Sequence, residues 1–448
     1  MGINASVLHN LANNSNSITK RARRIPKIAV AGILVLIIIL SLFIAIFMVL
    51  TTTGPLKVEW QQYLPGISGN HVIQTSDGGF LALGQNASLT DDYSPQFTDF
   101  TSLAVKTDSY GNVVWTKTYS IAAGITETRL VEAVETSGGY VLAGTLAPAA
   151  YQFPERVCVI KINFNGDIVW NNTYTRGFSD EWYELGGLIS TSDGGYALVG
   201  SFHSTPPSID YLWFIKVDSS GNVQWNKTLA MKDSVSSNSY ALSGRASALF
   251  QTNDSGYIII GTLGSKAISP HSSQIIKIDS NGDFQWRETY GGEGDYYYAY
   301  TYSATVTTDG GYIIAAVVSL EKGWIIKTDG EGKMLWNKTY VYRSYPSTIS
   351  SVSQAEDGSY MFVGTATEQA TQGVWDPNSK MYTWIARIDD AGNVLGQLAI
   401  DMGNHRSYPK NIVQTSDGGH VFVGVWNESD PASFDQKFWL VKIAPIES

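Results

Sequence analysis

Four segments of the chain crowd aromatic rings beside carboxylates, a pairing suited to carbohydrate. The first holds Asp91, Asp92, Tyr93, Phe97, Asp99 and Phe100. The second holds Asp180, Glu181, Trp182 and Tyr183, and the third Glu293, Asp295, Tyr296, Tyr297, Tyr298 and Tyr300. The fourth holds Trp375, Asp376 and Tyr382. A ring plane stacks on the apolar face of a sugar while acids accept its hydroxyl hydrogen bonds. The same rings serve equally to pin their own loops to whatever lies beneath. A second set, His71, Arg129, Glu184, Arg245 and Lys410, mixes charges at one recurring position and suits either a small anion or a solvated rim.

Signatures of catalysis are scarce. No histidines show the H-E-x-x-H spacing, and neither a G-x-S-x-G elbow nor a phosphate-binding glycine loop is present. Paired acids for glycoside hydrolysis must stand ~5–9.5 Å apart, a separation that sequence does not give. Asp279-Ser280-Asn281-Gly282-Asp283 alternates oxygen side chains as a calcium loop does, without the distal bidentate Glu of an EF-hand. Calcium is therefore the one metal the sequence suggests, and a plain turn fits those residues equally. No organic cofactor is expected. The single cysteine, Cys158, lies in an alternating apolar stretch and reads as a buried structural thiol.

The elements that must position these residues come from a repeat. Seven units begin with variants of T-S-D-G-G-Tyr and continue to apolar-Lys-apolar-Asp-x-x-Gly-Asn-x-x-Trp. The second glycine of the first half falls at Gly79, Gly139, Gly195, Gly256, Gly311 and Gly419, with Ser359 at the equivalent place in copy six. Periods of about 48 to 61 residues mean propellers or arrays. Copy three shows four short strand-like runs, at 188–191, 196–199, 212–217 and 223–228, joined by Ser192-Asp193-Gly194-Gly195 and Asp218-Ser219-Ser220-Gly221-Asn222. Glycine in those turns supplies the positive φ of tight hairpins.

The seventh copy stops after Lys442, and the missing final strand stands in front of the first copy as Val58-Glu59-Trp60-Gln61-Gln62-Tyr63. An all-β, seven-bladed β-propeller whose last blade is closed by the N-terminal strand explains both facts. The recurring tryptophans Trp115, Trp170, Trp225, Trp286, Trp336 and Trp60 should pack between neighbouring blades. Gly396 replaces the tryptophan in blade six, so that junction should be looser or filled by another residue. A base ends strand three in every copy: Lys106, Lys161, Lys216, Lys277, Lys327, Arg387 and Lys442. In six of the seven an Asp or Asn follows two residues later, and the recurrence points to a structural ion pair.

The run Asp108-Ser109-Tyr110-Gly111-Asn112-Val113-Val114-Trp115 resembles the tryptophan-docking turn of quinoprotein-type (PQQ-like) propeller repeats, with the same glycine-to-tryptophan spacing and a turn one residue shorter. The T-S-D-G-G-Y half is similar to repeats of archaeal and bacterial cell-surface propellers, a likeness extending over residues 57–443. The resemblance implies blades and a cell-surface setting. Quinoproteins of this type carry eight blades and shorter repeats, so no quinone is implied.

Residues 28–50 form an apolar run with Ser41 as its one clearly polar member, long enough to cross a bilayer. Lys20, Arg21, Arg23, Arg24 and Lys27 precede it, which by the positive-inside rule places residues 1–27 in the cytoplasm and the remainder outside. The expected organisation is a cytoplasmic tail (1–27), a membrane helix (28–50), a linker (51–56) and the propeller (57–448). Five of the 30 basic residues precede the run and all 40 acids follow it, leaving about −15 on the outer part. That charge argues against nucleic acid as a partner. Sequons at Asn86, Asn171, Asn226, Asn253, Asn337 and Asn427 are glycosylation candidates.

Turns between strands one and two, and three and four, are short and uniform. The other connections are long and variable: 85–101, 146–156, 202–210, 263–273 and 366–382 after strand two; 230–244, 291–302 and 341–347 after strand four. Both variable types emerge on one face, and scaffolded variable loops carry binding. The anchor joins from the uniform face, so the long-loop face should look away from the membrane. The expected function is non-catalytic binding, or scaffolding, of a surface glycan or protein partner. The rival is a carbohydrate-active hydrolase or lyase using acids at the channel mouth.

Overall fold

The computed structural model describes residues 55–446 apart from 90–96, 120, 122–124, 149–155, 176–181, 205–208, 230–242, 266–267, 292–297, 320, 369–378, 402–404 and 428–435. Within these residues lie 28 strands in seven four-stranded antiparallel sheets, the blades of a propeller. No helix among them is long and apolar enough to cross a membrane, and the expected span at 28–50 lies outside the described residues. Six blades are built from consecutive strands. The seventh orders its strands as Arg406–Gln414, His420–Asn427, Gln436–Ile443 and, from the other end of the chain, Val58–Leu64. Trp60 pairs with Lys442 and Leu64 with Phe438, so the ring is sealed by a continuous ladder. Sealing removes the open ends of the array.

The inner strands, Ser68–Gln74, Ile125–Thr136, Trp182–Ser190, Ser243–Gln251, Ala299–Val306, Ser347–Gln354 and Arg406–Gln414, neighbour one another around the axis. Each carries a one-residue bulge at the same place: Asn70, Val131, Gly186, Ser247, Tyr302, Ser350 and Lys410. A bulge bends the strand and re-aims the side chains around it. Strands two and three are the apolar slabs of each blade. In blade five, all seven residues of Tyr312–Val318 are buried.

The base at the end of strand three is buried in every blade except the second, where Lys161 is half-buried. Its partner is the acid of the T-S-D-G-G turn, not the acid two residues further on. Lys106 Nζ lies 2.9 Å from Asp77 and Lys327 Nζ 2.7 Å from Asp309, and Lys216, Lys277, Arg387 and Lys442 are paired likewise with Asp193, Asp254, Asp357 and Asp417. The nearer acid caps its own hairpin: Asp108 accepts the amides of Tyr110 and Asn112. Burial pushes Asp77 upward, but Lys106, Thr75 and the Gly79 amide outweigh it and hold the carboxyl at about 2. The second glycine of the motif makes room for the ammonium, since a β-carbon on Gly311 would stand 2.9 Å from Lys327 Nζ. Blade six changes both partners together. Ser359 stands where glycine is expected, and its Oγ accepts from Nε of Arg387 at 2.9 Å. Blade two lacks the acid, and Lys161 donates to Thr136 Oγ1 instead.

The tryptophans pack between blades as expected. Trp60, Trp115, Trp170, Trp225, Trp286 and Trp336 rest on Gly111, Gly166, Gly221, Gly282, Gly332 and Gly392 of the next blade, all with φ between +76° and +81°. Trp115 Nε1 donates to the Phe164 carbonyl and Trp336 Nε1 to that of Asp390. Four residues past the tryptophan, the hydroxyls of Tyr119, Tyr174, Tyr290 and Tyr340 donate to the same glycines' carbonyls. Blade seven has no hairpin between its third and fourth strands, because the chain ends meet there. Blade six therefore has no glycine turn to dock on, and Leu56, 6% exposed, occupies the place beside Gly396.

A further contact joins blades at the tight-turn face. The last residue of an inner strand, or in blade two the last but one, accepts the amide of the previous blade's turn: Ser76 to Glu135, Ser192 to Gln251, Thr308 to Gln354, and Ser416 to Gln74 across the seam.

Candidate functional site

Innermost strands of a propeller are normally screened from solvent except where they line the axis. Arg129, Arg245, Tyr302, Tyr408 and Lys410 are nonetheless exposed. Arg129, Glu184, Arg245 and Tyr408 each stand two residues before their bulge, close to the long-loop face, and Tyr302 and Lys410 are themselves the bulged residues. The bulge thus turns two successive tiers of side chains into the axial channel mouth.

Charge there is mixed but leans positive. Arg245 of blade four is paired with Glu184 of blade three, and Arg129 with Glu127 at 3.0 Å. Partial burial lowers the Arg245 pKa, Tyr302 opposes that shift, and the charge of Arg129 adds to it. Lys410 belongs to blade seven, nearly opposite blade four, yet burial and then the charge of Arg245 push its pKa down. Both side chains are exposed on inner strands near the bulge, at the long-loop end of the ring. Lys410 makes no ion pair among the described residues. It is exposed at the bulge of its strand.

His71 does not join this ring. It follows the bulge and turns toward blade two, where burial depresses its pKa to about 4 against a backbone hydrogen bond with Ala133. It faces Glu132 at 3.9 Å. Burial pushes that carboxyl up to about 8, so burial disfavours the charged form of both groups. His71 Nε2 and Asn70 Nδ2 are buried without a hydrogen-bond partner.

The aromatic and acidic residues named above fare differently. Asp91, Asp92, Asp295, Tyr296, Tyr297, Trp375 and Asp376 lie outside the described residues. Trp182 opens its inner strand, paired with His203. Tyr298 is 40% exposed and bridges to His271. Tyr382 is buried at 8%, stacks on Tyr345 at 6.2 Å and donates to Glu368 at 3.3 Å, so it fastens its loop and presents no free face. Asp279 Oδ1 accepts the amides of Asn281 and Asp283, which makes that segment a capped turn. Among the described residues, no group of three or more His, Cys, Asp or Glu stands ready for a metal ion. Cys158 is fully buried, and burial pushes its thiol up to about 12. Asn86, Asn171, Asn226 and Asn253 are exposed. Asn337 gives its Oδ1 to the Trp324 indole, and Asn427 is half-buried.

Sequence reasoning overlooked Tyr302, Glu127 and Glu132. The signal that would have found Tyr302 is its place in the repeat, one residue off the alternation that the other inner-strand positions follow.

No family model and no curated protein matches the chain. Several solved structures are distantly similar to it. A virginiamycin B lyase from Staphylococcus aureus, crystallised with quinupristin, matches with a TM-score of 0.49 and 11% identity over 87% of this chain and 100% of that one. A sialidase, NanB, from Streptococcus pneumoniae matches at 0.43 and 10% over 88% and 71%, and a Bacteroides caccae protein of unknown function at 0.39 and 13% over 71% and 94%. Such likenesses speak to architecture alone. The class of protein the blades define is a seven-bladed β-propeller.

Proposed function

We propose that the chain is a membrane-anchored, extracytoplasmic binding module that holds a surface glycan or partner through its long-loop face, with the axial mouth as its seat. One observation carries the reading. The scaffold repeats its bulge, base, tryptophan and turn around the ring, but at the mouth the repeat breaks into Arg129, Glu184, Arg245, Tyr302 and Lys410. A ligand on a pseudo-symmetric ring needs such asymmetry, whereas pure scaffolding does not. The anchor and outward orientation rest on the apolar run at 28–50 and its basic flank. A glycan-array screen of the full chain in detergent, with and without calcium, is the test. Binding that is lost in Arg245→Ala supports a glycan ligand; an array without a signal above background removes the glycan and leaves a protein partner.

A hydrolase or lyase is the second reading, favoured by Glu132. A carboxyl kept protonated at neutral pH is what a general acid requires, and this one stands in the tier below the mouth. Turnover of a bound oligosaccharide that disappears in Glu132→Gln would move the assignment to an enzyme.

A further inference from the structure

We infer that the axial mouth is a seat for the anionic substituent of an acidic surface polysaccharide, a carboxylate or sulfate ester, held among Arg129 of blade two, Arg245 of blade four and Lys410 of blade seven. The inference rests on the binding role proposed above and narrows it to a ligand class.

Three separate blades each place an exposed cation on the inner strand at or just before its bulge. Arg129 and Arg245 arrive with carboxylates already attached, through Glu127 and Glu184, which fixes their orientation and leaves guanidinium donors unused. Lys410 has none among the described residues. It stands at the bulge of blade seven, and burial first and then repulsion from the like charge of Arg245 disfavour its charged form. A negative group placed between them removes that repulsion and gives Lys410 the partner it lacks. The effect is strong because low-dielectric walls focus the field there. The outer part of the protein carries about −15 overall, so the mouth is a local positive focus in a field that repels anions at long range. That combination favours a group delivered on a polymer, where neighbouring sugar contacts hold the chain in place, over a free ion.

The neighbouring chemistry agrees. Tyr302 is 53% exposed beside Arg245 and offers a ring face and a hydroxyl. Ser68 and Thr348 occupy the same tier of blades one and six as Arg129 and Arg245 do in theirs. The mouth therefore sets cations and small hydroxyls around one opening, which matches an acidic sugar better than a neutral one.

Titration calorimetry on the full chain in detergent tests this with four probes: a uronate oligosaccharide, a sulfated oligosaccharide, a neutral oligosaccharide of equal length, and inorganic sulfate. Either acidic oligosaccharide should bind at least tenfold tighter than the neutral one, and the better of the two names the anion. Lys410→Met should reduce that binding tenfold or more, and Lys410→Arg should restore most of it. Lys410→Met should also leave the unfolding midpoint in urea equal or higher, because it removes a repelled charge, and a lower midpoint would mean that the lysine is structural. Equal binding of acidic and neutral probes, with Lys410→Met silent, overturns the anion seat but keeps a glycan-binding face. No binding by any probe overturns both. Inorganic sulfate binding as tightly as the sulfated oligosaccharide overturns the polymer and leaves a free-anion site.

Discussion

Leu56 covers Gly396, its Cγ 3.8 Å from the point where a β-carbon on that glycine would stand. The contact lies at the seam where the chain closes the ring. Every other junction seats a tryptophan on a left-handed glycine, but the seam offers no such turn, and a leucine from the entering strand fills the space. Leu56 packs with Ile385, Ile412, Trp439 and Val441 in the cluster between blades six and seven.

Leu56→Ala should therefore cost about 2–4 kcal/mol, the usual range for a leucine truncated in a well-packed core. The loss should appear as a lower urea midpoint with an unchanged slope. A cost below about 0.5 kcal/mol would mean that the seam is held by the backbone ladder alone.

Two glycines with nearly the same backbone separate conformational cost from docking. Gly194 and Gly221 have φ of +81° and +80°. A β-carbon on Gly194 meets nothing within 4 Å, whereas one on Gly221 meets Asn172 at 2.3 Å and Trp170 at 2.9 Å. Gly194→Ala should cost about 1–2 kcal/mol, the penalty of the left-handed region itself. Gly221→Ala should cost about 1–3 kcal/mol more, from the crowding of the docked tryptophan. Equal losses in thermal or urea unfolding would show that tryptophan docking adds little.

Much of the fold was legible because its signals are local and repeat around the ring. Tryptophan, the turn glycines and the strand-three base each recur within a unit, and the permuted strand betrayed the closure. The partner of Lys106 was less legible. The acid closest in sequence, Asp108, sits in a hairpin and is used by backbone amides, while the true partner, Asp77, comes alongside only when strands two and three pair. The mouth was partly legible: Arg129, Glu184, Arg245 and Lys410 stand out as charges at the starts of inner strands. Tyr302 did not, because a bulge shifts the face a residue points to and leaves no mark on composition. Nor could sequence tell that Tyr382 packs onto Tyr345, since burial of a loop aromatic depends on contacts distant along the chain.

The pairing of Ser359 with Arg387 is a coupled departure from the Gly-and-Lys pattern, so its energetics should be non-additive. Arg387→Lys alone leaves the Ser359 hydroxyl without the Nε donor, and Ser359→Gly alone does the same to the guanidinium. Each single change should cost about 1–2 kcal/mol. The double change, which restores the arrangement of the other blades, should cost less than their sum by at least about 0.5–1 kcal/mol. Strict additivity in a urea double-mutant cycle would show that the two positions vary independently.

Glu132 gives the mouth a pH dependence whose sign can be worked out. Its carboxyl is a quarter exposed by area and lies 3.9 Å from His71, whose charged form burial disfavours. Burial raises its pKa from 4.5 to about 8 in the folded protein. Between those values the folded state holds a proton that the unfolded chain has released, so stability falls as pH rises through this window. Above about pH 8 the carboxylate is charged in both states and the penalty is complete. Glu132→Gln keeps the shape and removes the charge. It should leave stability nearly unchanged at pH 4 and raise it at pH 9, by an amount on the order of 1–3 kcal/mol. If the anion seat is real, the same substitution should also flatten a loss of acidic-oligosaccharide affinity above pH 8, where ionised Glu132 adds a negative charge below the mouth. Urea midpoints at pH 4, 7 and 9 for both proteins decide the matter, and a difference that does not change with pH would show that Glu132 is ionised throughout.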